Sequence, residues 1–280
     1  MIARMIGAAA RGFLVALLIA TPALVLPGVT SDSTQITLLV ALLASLLTFS
    51  EYNTNAPSIV EFRDAAPFNR LRFAALFLTV YLLTMICKGT MDPTVTTRAL
   101  SAVGTIIGNA IDFPFSPVRL AVLMLPSDSP LESINTMRSA AGLAYLSSLV
   151  AMTAFIVMVR LMGWPTRRGA FNVWINLPLF DPTAGGDVLD NLQRDARVNI
   201  AIGFLLPFII PAVVKLAADL IQPVMLNNHQ TLIWTMSAWA FLPASMIMRG
   251  VAMHRIAEMI KEQRRRVYAA NADETGMHPA

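Results

Sequence analysis

Leu100-Ser-Ala-Val-Gly-Thr-Ile-Ile-Gly-Asn-Ala-Ile-Asp-Phe-Pro-Phe-Ser-Pro-Val-Arg-Leu-Ala-Val-Leu-Met-Leu125 is the stretch on which the fold turns. Read as a membrane crossing, it inverts everything downstream and sends Arg160, Arg167, Arg168 and the basic C-terminal region out of the cell. Loops rich in lysine and arginine stay in the cytoplasm, so the charge bias opposes that reading. Asp112, Arg119, Pro114 and Pro117 oppose it as well. The first half reads instead as an amphipathic helix. Leu100, Val103, Ile106, Ile107 and Ile111 form one face, and Ser101, Gly104, Thr105, Gly108, Asn109 and Asp112 form the other. This segment is expected at the external membrane interface, or dipping in as a half-span.

Outside that stretch, apolar runs are long enough to span. About 20 mostly apolar residues cross ~30 Å of hydrocarbon at 1.5 Å per residue. Six runs qualify or nearly do: Gly12 to Val29, Thr34 to Ser50, Leu71 to Ile86, Ala140 to Val159, Ile200 to Ile221 and Thr231 to Met248. Each is apolar all round, as a lipid-embedded helix is and a soluble surface helix is not. The expected fold is therefore an all-α polytopic membrane protein with six transmembrane helices and an external helical segment between the third and fourth.

Basic residues set the orientation. Arg4 and Arg11 precede the first run, Arg63 and Arg70 precede the third, and Arg72 lies just inside it. Arg160, Arg167, Arg168, Arg194 and Arg197 lie between the fourth and fifth. Arg249, Arg255, Lys261, Arg264, Arg265 and Arg266 follow the sixth. Both termini are then expected in the cytoplasm, with only Lys88, Arg98, Arg119 and Arg138 outside and Lys215 within a span. The N-terminal charges and apolar run resemble a signal peptide. The run continues past Thr21-Pro22-Ala23 without a small-x-small site, so a retained first helix is expected.

Composition agrees with a membrane location. Of 280 residues, 56% are hydrophobic and 14% charged, with a net charge of +4. Soluble domains carry about 25% charged residues. A disulfide scaffold is excluded by a single cysteine, Cys87, and disorder by the abundance of large apolar residues. The chain divides into 1–98 (first three spans and a cytoplasmic loop), 99–138 (the external segment), 139–250 (last three spans and a second loop) and 251–280 (a basic helix and disordered tail). An inner bacterial membrane is the expected location.

Both cytoplasmic loops carry structure of their own. Asn55 with Pro57 is placed to start a short helix, laying Ile59, Val60 and Phe62 on the membrane and turning Glu61, Arg63 and Asp64 to water. In the second loop Trp164, Phe171, Trp174 and Phe180 suit the headgroup level. Asp187 is placed to cap a helix running through Arg194 and Arg197 into the fifth span.

Candidate chemistry is sparse. Lys215 and Asp219 stand one helical turn apart in the fifth span, where a charge is costly and often functional. An ion pair snorkelling at the outer interface is the plainer reading. Pro207 and Pro211 should kink or break the same helix, whether as a packing bend or as part of a transport site. Gly104 and Gly108 form a Gly-x-x-x-Gly spacing that admits close helix approach, or belong to a re-entrant hairpin. Arg264, Arg265 and Arg266 are placed to touch anionic lipid. Glu51, Tyr52, Asn53, Asn55, Glu61 and Asp64 form a polar cluster, read as a solvated cap on the second span in preference to a cation site.

No catalytic constellation is present. Gly185-Gly186-Asp187 lacks the lysine of a phosphate loop, no serine sits in a nucleophile elbow, and His229, His254 and His278 have no metal-ligand spacing. No cofactor is indicated. The expected function is a non-enzymatic accessory, assembly or scaffold subunit. Alternatives are a small transporter or channel, then a lipid-acting membrane enzyme. Expected partners are membrane lipids and other membrane proteins, with no nucleic acid.

Overall fold

The computed structural model describes residues 2–165, 171–180, 185–220 and 228–275. All regular structure among them is helical: α1 (Ile2–Val25), α2 (Ser31–Asn53), α3 (Phe68–Met91), α4 (Val95–Ile111), α5 (Pro117–Val122), α6 (Leu131–Leu161), α7 (Val173–Asn176), α8 (Val188–Leu220) and α9 (His229–Thr275). Six of these, α1, α2, α3, α6, α8 and α9, are long and apolar enough to cross a membrane.

Local chemistry explains where several helices begin. The Thr30 hydroxyl accepts the Ser33 N–H at the start of α2, and Thr94 and Thr97 form a reciprocal capping box on α4. Ser116 caps α5, whose first residue is Pro117, at the position where a missing N–H is harmless. Asp187 accepts the Leu189 N–H at the start of α8, as its spacing implies.

The helices include two tight pairs, α1 with α2 and α8 with α9; α9 packs on α6 and α3, and α1 joins the bundle through α3 and, less closely, α9. Helix α2 packs along α1, and its Ser33 hydroxyl donates to Gln230 Oε1 of α9 at 2.8 Å. One core fills the end that holds α4 and α5, with Val80, Leu83, Val118, Ala121, Met137, Ala140, Ile233, Met236 and Trp239 all buried. A second core lies at the other end, where the loops join α3, α6, α8 and α9. It is built on Phe62, Phe68, Phe155, Trp164, Leu192 and Met253. There the ring centroids of Phe62 and Phe68 are 4.5 Å apart, and Trp164 Nε1 donates to the Ala65 carbonyl at 3.1 Å.

Several expectations are corrected. The 54–67 loop forms turns and no helix, and Asn55 caps nothing; its side chain accepts from Arg4 at 2.6 Å. Phe62 is fully buried instead of resting on lipid. Its backbone sits at φ +53°, a strained region for an aromatic residue, and its N–H is bonded to the Asn176 carbonyl. The reason is that its ring inserts between Phe68 of α3 and Trp164 of the second loop. Glu61 and the Arg63 side chain are likewise buried, leaving Asp64 outward. The tail is not disordered from residue 267, because α9 continues to Thr275. Residues 276–280, and the Trp174 side chain, lie outside the described residues.

Helix α4 does not divide into the two faces read from the sequence: Ile107 and Ile111 pack inward beside the small residues, and Thr105 and Asn109 are exposed. Thr97, Gly104 and Gly108 are buried, while Val103 and Ile106 point outward. The glycines on the buried side permit close packing. A Cβ at Gly108 would lie 2.7 Å from the Arg138 carbonyl oxygen, and one at Gly142 would lie 2.6 Å from the Gly108 Cα. The α4–α6 crossing leaves no room for a side chain at either place.

Candidate functional site

A lateral cleft of about 760 Å³ opens between the α1–α2 pair and the α3 and α9 helices. It lies toward the start of α1, the end of α2 and the start of α3, the region where the basic residues of the first loop collect. Leu14 and Val15 of α1, Phe73 of α3 and Met246 of α9 give it apolar walls. Arg11, Arg70, Arg72 and Arg249 bring four guanidinium groups to it, and Glu61 is its one lining carboxylate.

Each charged group is held differently. The Glu61 carboxylate takes two hydrogen bonds from Arg249, Nε to Oε2 at 2.6 Å and Nη2 to Oε1 at 2.8 Å. This bidentate fork joins residues 188 positions apart and is the strongest form of such a pair. Glu61 thereby neutralises Arg249. Arg72 lies between two rings, its guanidinium carbon 5.2 Å from the Phe68 centroid and 5.6 Å from that of Phe241. Its Nε is enclosed without a hydrogen-bond acceptor. Arg11 sits 4.7 Å from the Tyr52 ring centroid and donates to the Gly7 carbonyl. Arg70 is exposed at the mouth. Among the described residues no carboxylate lies within 4.0 Å of Arg11, Arg70 or Arg72. The cleft therefore carries three uncompensated positive charges beside low-dielectric walls, which focus the field inside it.

The wall made by the first loop is fixed by a carboxylate buried at the end of α2. Glu51 accepts the N–H groups of Ser58, Ile59 and Val60 and the Ser58 hydroxyl. Arg63 ties the loop to the helix end, donating to the Glu51 and Thr54 carbonyls at 2.9 and 2.8 Å. Asn69 donates to the Glu61 carbonyl at 2.7 Å. Glu51 is thus no solvated cap: its oxygens are filled by the loop it organises. With Glu51 and Glu61 both engaged, the cleft's polar groups are arranged to hold an anion.

The residues singled out from the sequence lie elsewhere. Lys215 is half-buried near the end of α8, and the Asp219 side chain lies outside the described residues. Pro207 and Pro211 do not break α8, which runs through both. Pro211 has no N–H for the Pro207 carbonyl, and Trp239 Nε1 from α9 fills that place at 3.1 Å. Gly104 and Gly108 pack within the chain. Arg264 turns back to Asp187, at 2.6 and 2.8 Å, while Arg265 and Arg266 are exposed. Asp187 is thereby held down to about 2 from an ordinary 3.8, first by the Arg264 hydrogen bond and then by the Leu189 N–H.

The four arginines escape a sequence reading because their convergence is tertiary. A signal was present nonetheless: Arg72 falls just inside the third apolar run and Arg249 just past the sixth, and charges at such depths mark sites. No protein-family model matches the chain, and no curated protein or solved structure matches it.

Proposed function

We propose that this multi-pass membrane protein binds an anionic lipid drawn from the cytoplasmic leaflet of a bacterial inner membrane, seating its headgroup in the arginine-lined cleft. The observation that carries this reading is the pairing of three uncompensated guanidiniums with apolar walls in one lateral opening. Headgroup charge meets Arg11, Arg70 and Arg72, and the upper chain lies along Leu14, Val15, Phe73 and Met246. Clefts of roughly 300–1,000 Å³ suit ligands of that size. The proposed orientation, with both termini in the cytoplasm, puts the cleft at the leaflet that carries anionic lipid.

The test is lipid retention. The protein extracted in mild detergent and examined by native mass spectrometry is expected to carry anionic phospholipid, and Arg11→Gln with Arg72→Gln is expected to lose it. Equal retention of zwitterionic and anionic lipid by the wild-type protein would reject the reading.

A second reading, an accessory or scaffold subunit of a membrane complex, draws support from α2. Its apolar face (Leu39, Leu43, Leu46) is exposed, and among the described residues α1 is the helix it packs along. Cross-linking through a cysteine at Leu43 in native membranes should give a defined heteromeric adduct under that reading. A purely lipid-facing α2 gives none.

A further inference from the structure

We infer that the headgroup this cleft selects is a phosphomonoester, the terminal phosphate of a lipid such as a phosphatidic acid, in preference to a phosphodiester headgroup. The inference rests on the anionic-lipid reading above and narrows it by counting charges and donors.

Among the described residues, three guanidiniums in the cleft lack a carboxylate partner. A phosphodiester brings one negative charge and two unesterified oxygens, which leaves most of that positive charge unmatched. A phosphomonoester brings three unesterified oxygens, and its second ionisation near pH ~6 gives it close to two charges at neutral pH. Arginine meets such oxygens with planar forks, so several guanidiniums can share one terminal phosphate.

The remaining lining points the same way. Tyr52 and Asn69 add neutral polar side chains beside the arginines. The one lining carboxylate, Glu61, has both oxygens taken by Arg249. Among the described residues no ionised acceptor is therefore left for the ammonium of a zwitterionic headgroup. The apolar walls make the lipid, and not free phosphate, the occupant.

The experiment is a titration of the full-length protein in detergent at pH 7.5 with phosphatidic acid, phosphatidylglycerol of the same chains, and inorganic phosphate. Phosphatidic acid is expected to bind at least tenfold more tightly than phosphatidylglycerol, with inorganic phosphate far weaker. Arg72→Lys and Arg11→Gln are each expected to shrink that preference, while Arg160→Gln, at an exposed position on α6, leaves it intact. A preference below tenfold, with both lipids bound, overturns the inference and leaves the anionic-lipid reading standing. No binding of either lipid by folded wild-type protein overturns both. Inorganic phosphate binding as tightly as phosphatidic acid overturns the lipid as ligand.

Discussion

At the scale of single residues, the Glu61–Arg249 fork is the most informative contact. It holds a carboxylate where a ligand anion would otherwise compete for Arg249. Removing one partner of a fully enclosed pair costs about 3–5 kcal/mol, and Arg249 is partly exposed, so Glu61→Gln should cost about 2 kcal/mol. It should also free Arg249 and tighten anionic-lipid binding; lower melting temperature with stronger binding is the expected combination in a lipid-titrated thermal shift. A second test concerns Asp187. Its folded-state value, about 2, lies below its ordinary 3.8. The contact with Arg264 therefore contributes fully above pH 3.8 and is lost as pH falls through about 2. Hydrogen exchange at the first turn of α8, corrected for intrinsic rate, should accelerate over that window, and Asp187→Asn should abolish the dependence. Of these residues, Asp187 was legible as a cap from its place before an apolar helix. Glu61 was read as facing water, because local alternation cannot reveal an arginine 188 residues away.

Among the helices, close approach is the recurring device. Helices α8 and α9 cross at Gly203 and Gly250, where a Cβ on Gly250 would sit 2.7 Å from the Ala196 carbonyl oxygen. Overpacking of this kind costs typically 1–3 kcal/mol. Gly250→Ala should therefore lower the melting temperature in detergent measurably, whereas an alanine at Gly163, with nothing within 4 Å, meets no neighbour and suffers only from its φ of +66°. The spans themselves were readable, since a bilayer demands only a long apolar run. What α4 buries was not. Its buried side mixes Gly104 and Gly108 with Ile107 and Ile111, a combination set by the α3 and α6 helices it meets and not by the spacing of apolar residues alone. The prolines of α8 show the same gap: the free Pro207 carbonyl is predictable from Pro211, but its donor, Trp239, comes from another helix.

For the molecule as a whole, an even number of crossings requires both termini on one side. Fusions of a cytoplasm-active reporter at residue 1 and residue 280 should both be active, and opposite results would disprove the six-span topology. The first loop shows why the site was harder to read than the topology. Orientation depends on summed charge along the chain, whereas the cleft needs α1, α3 and α9 brought together in space. The length of α9 has a mechanical corollary. Its 47 residues make a rod about 70 Å long at 1.5 Å per residue, and the hydrocarbon takes only ~30 Å of it. More than half must project beyond the lipid on the side of the cleft, braced near its middle by Asp187 on Arg264. Any factor that grips its tip is met at a set stand-off from the bilayer, and a tug there is delivered along a stiff lever to Arg249 at its base.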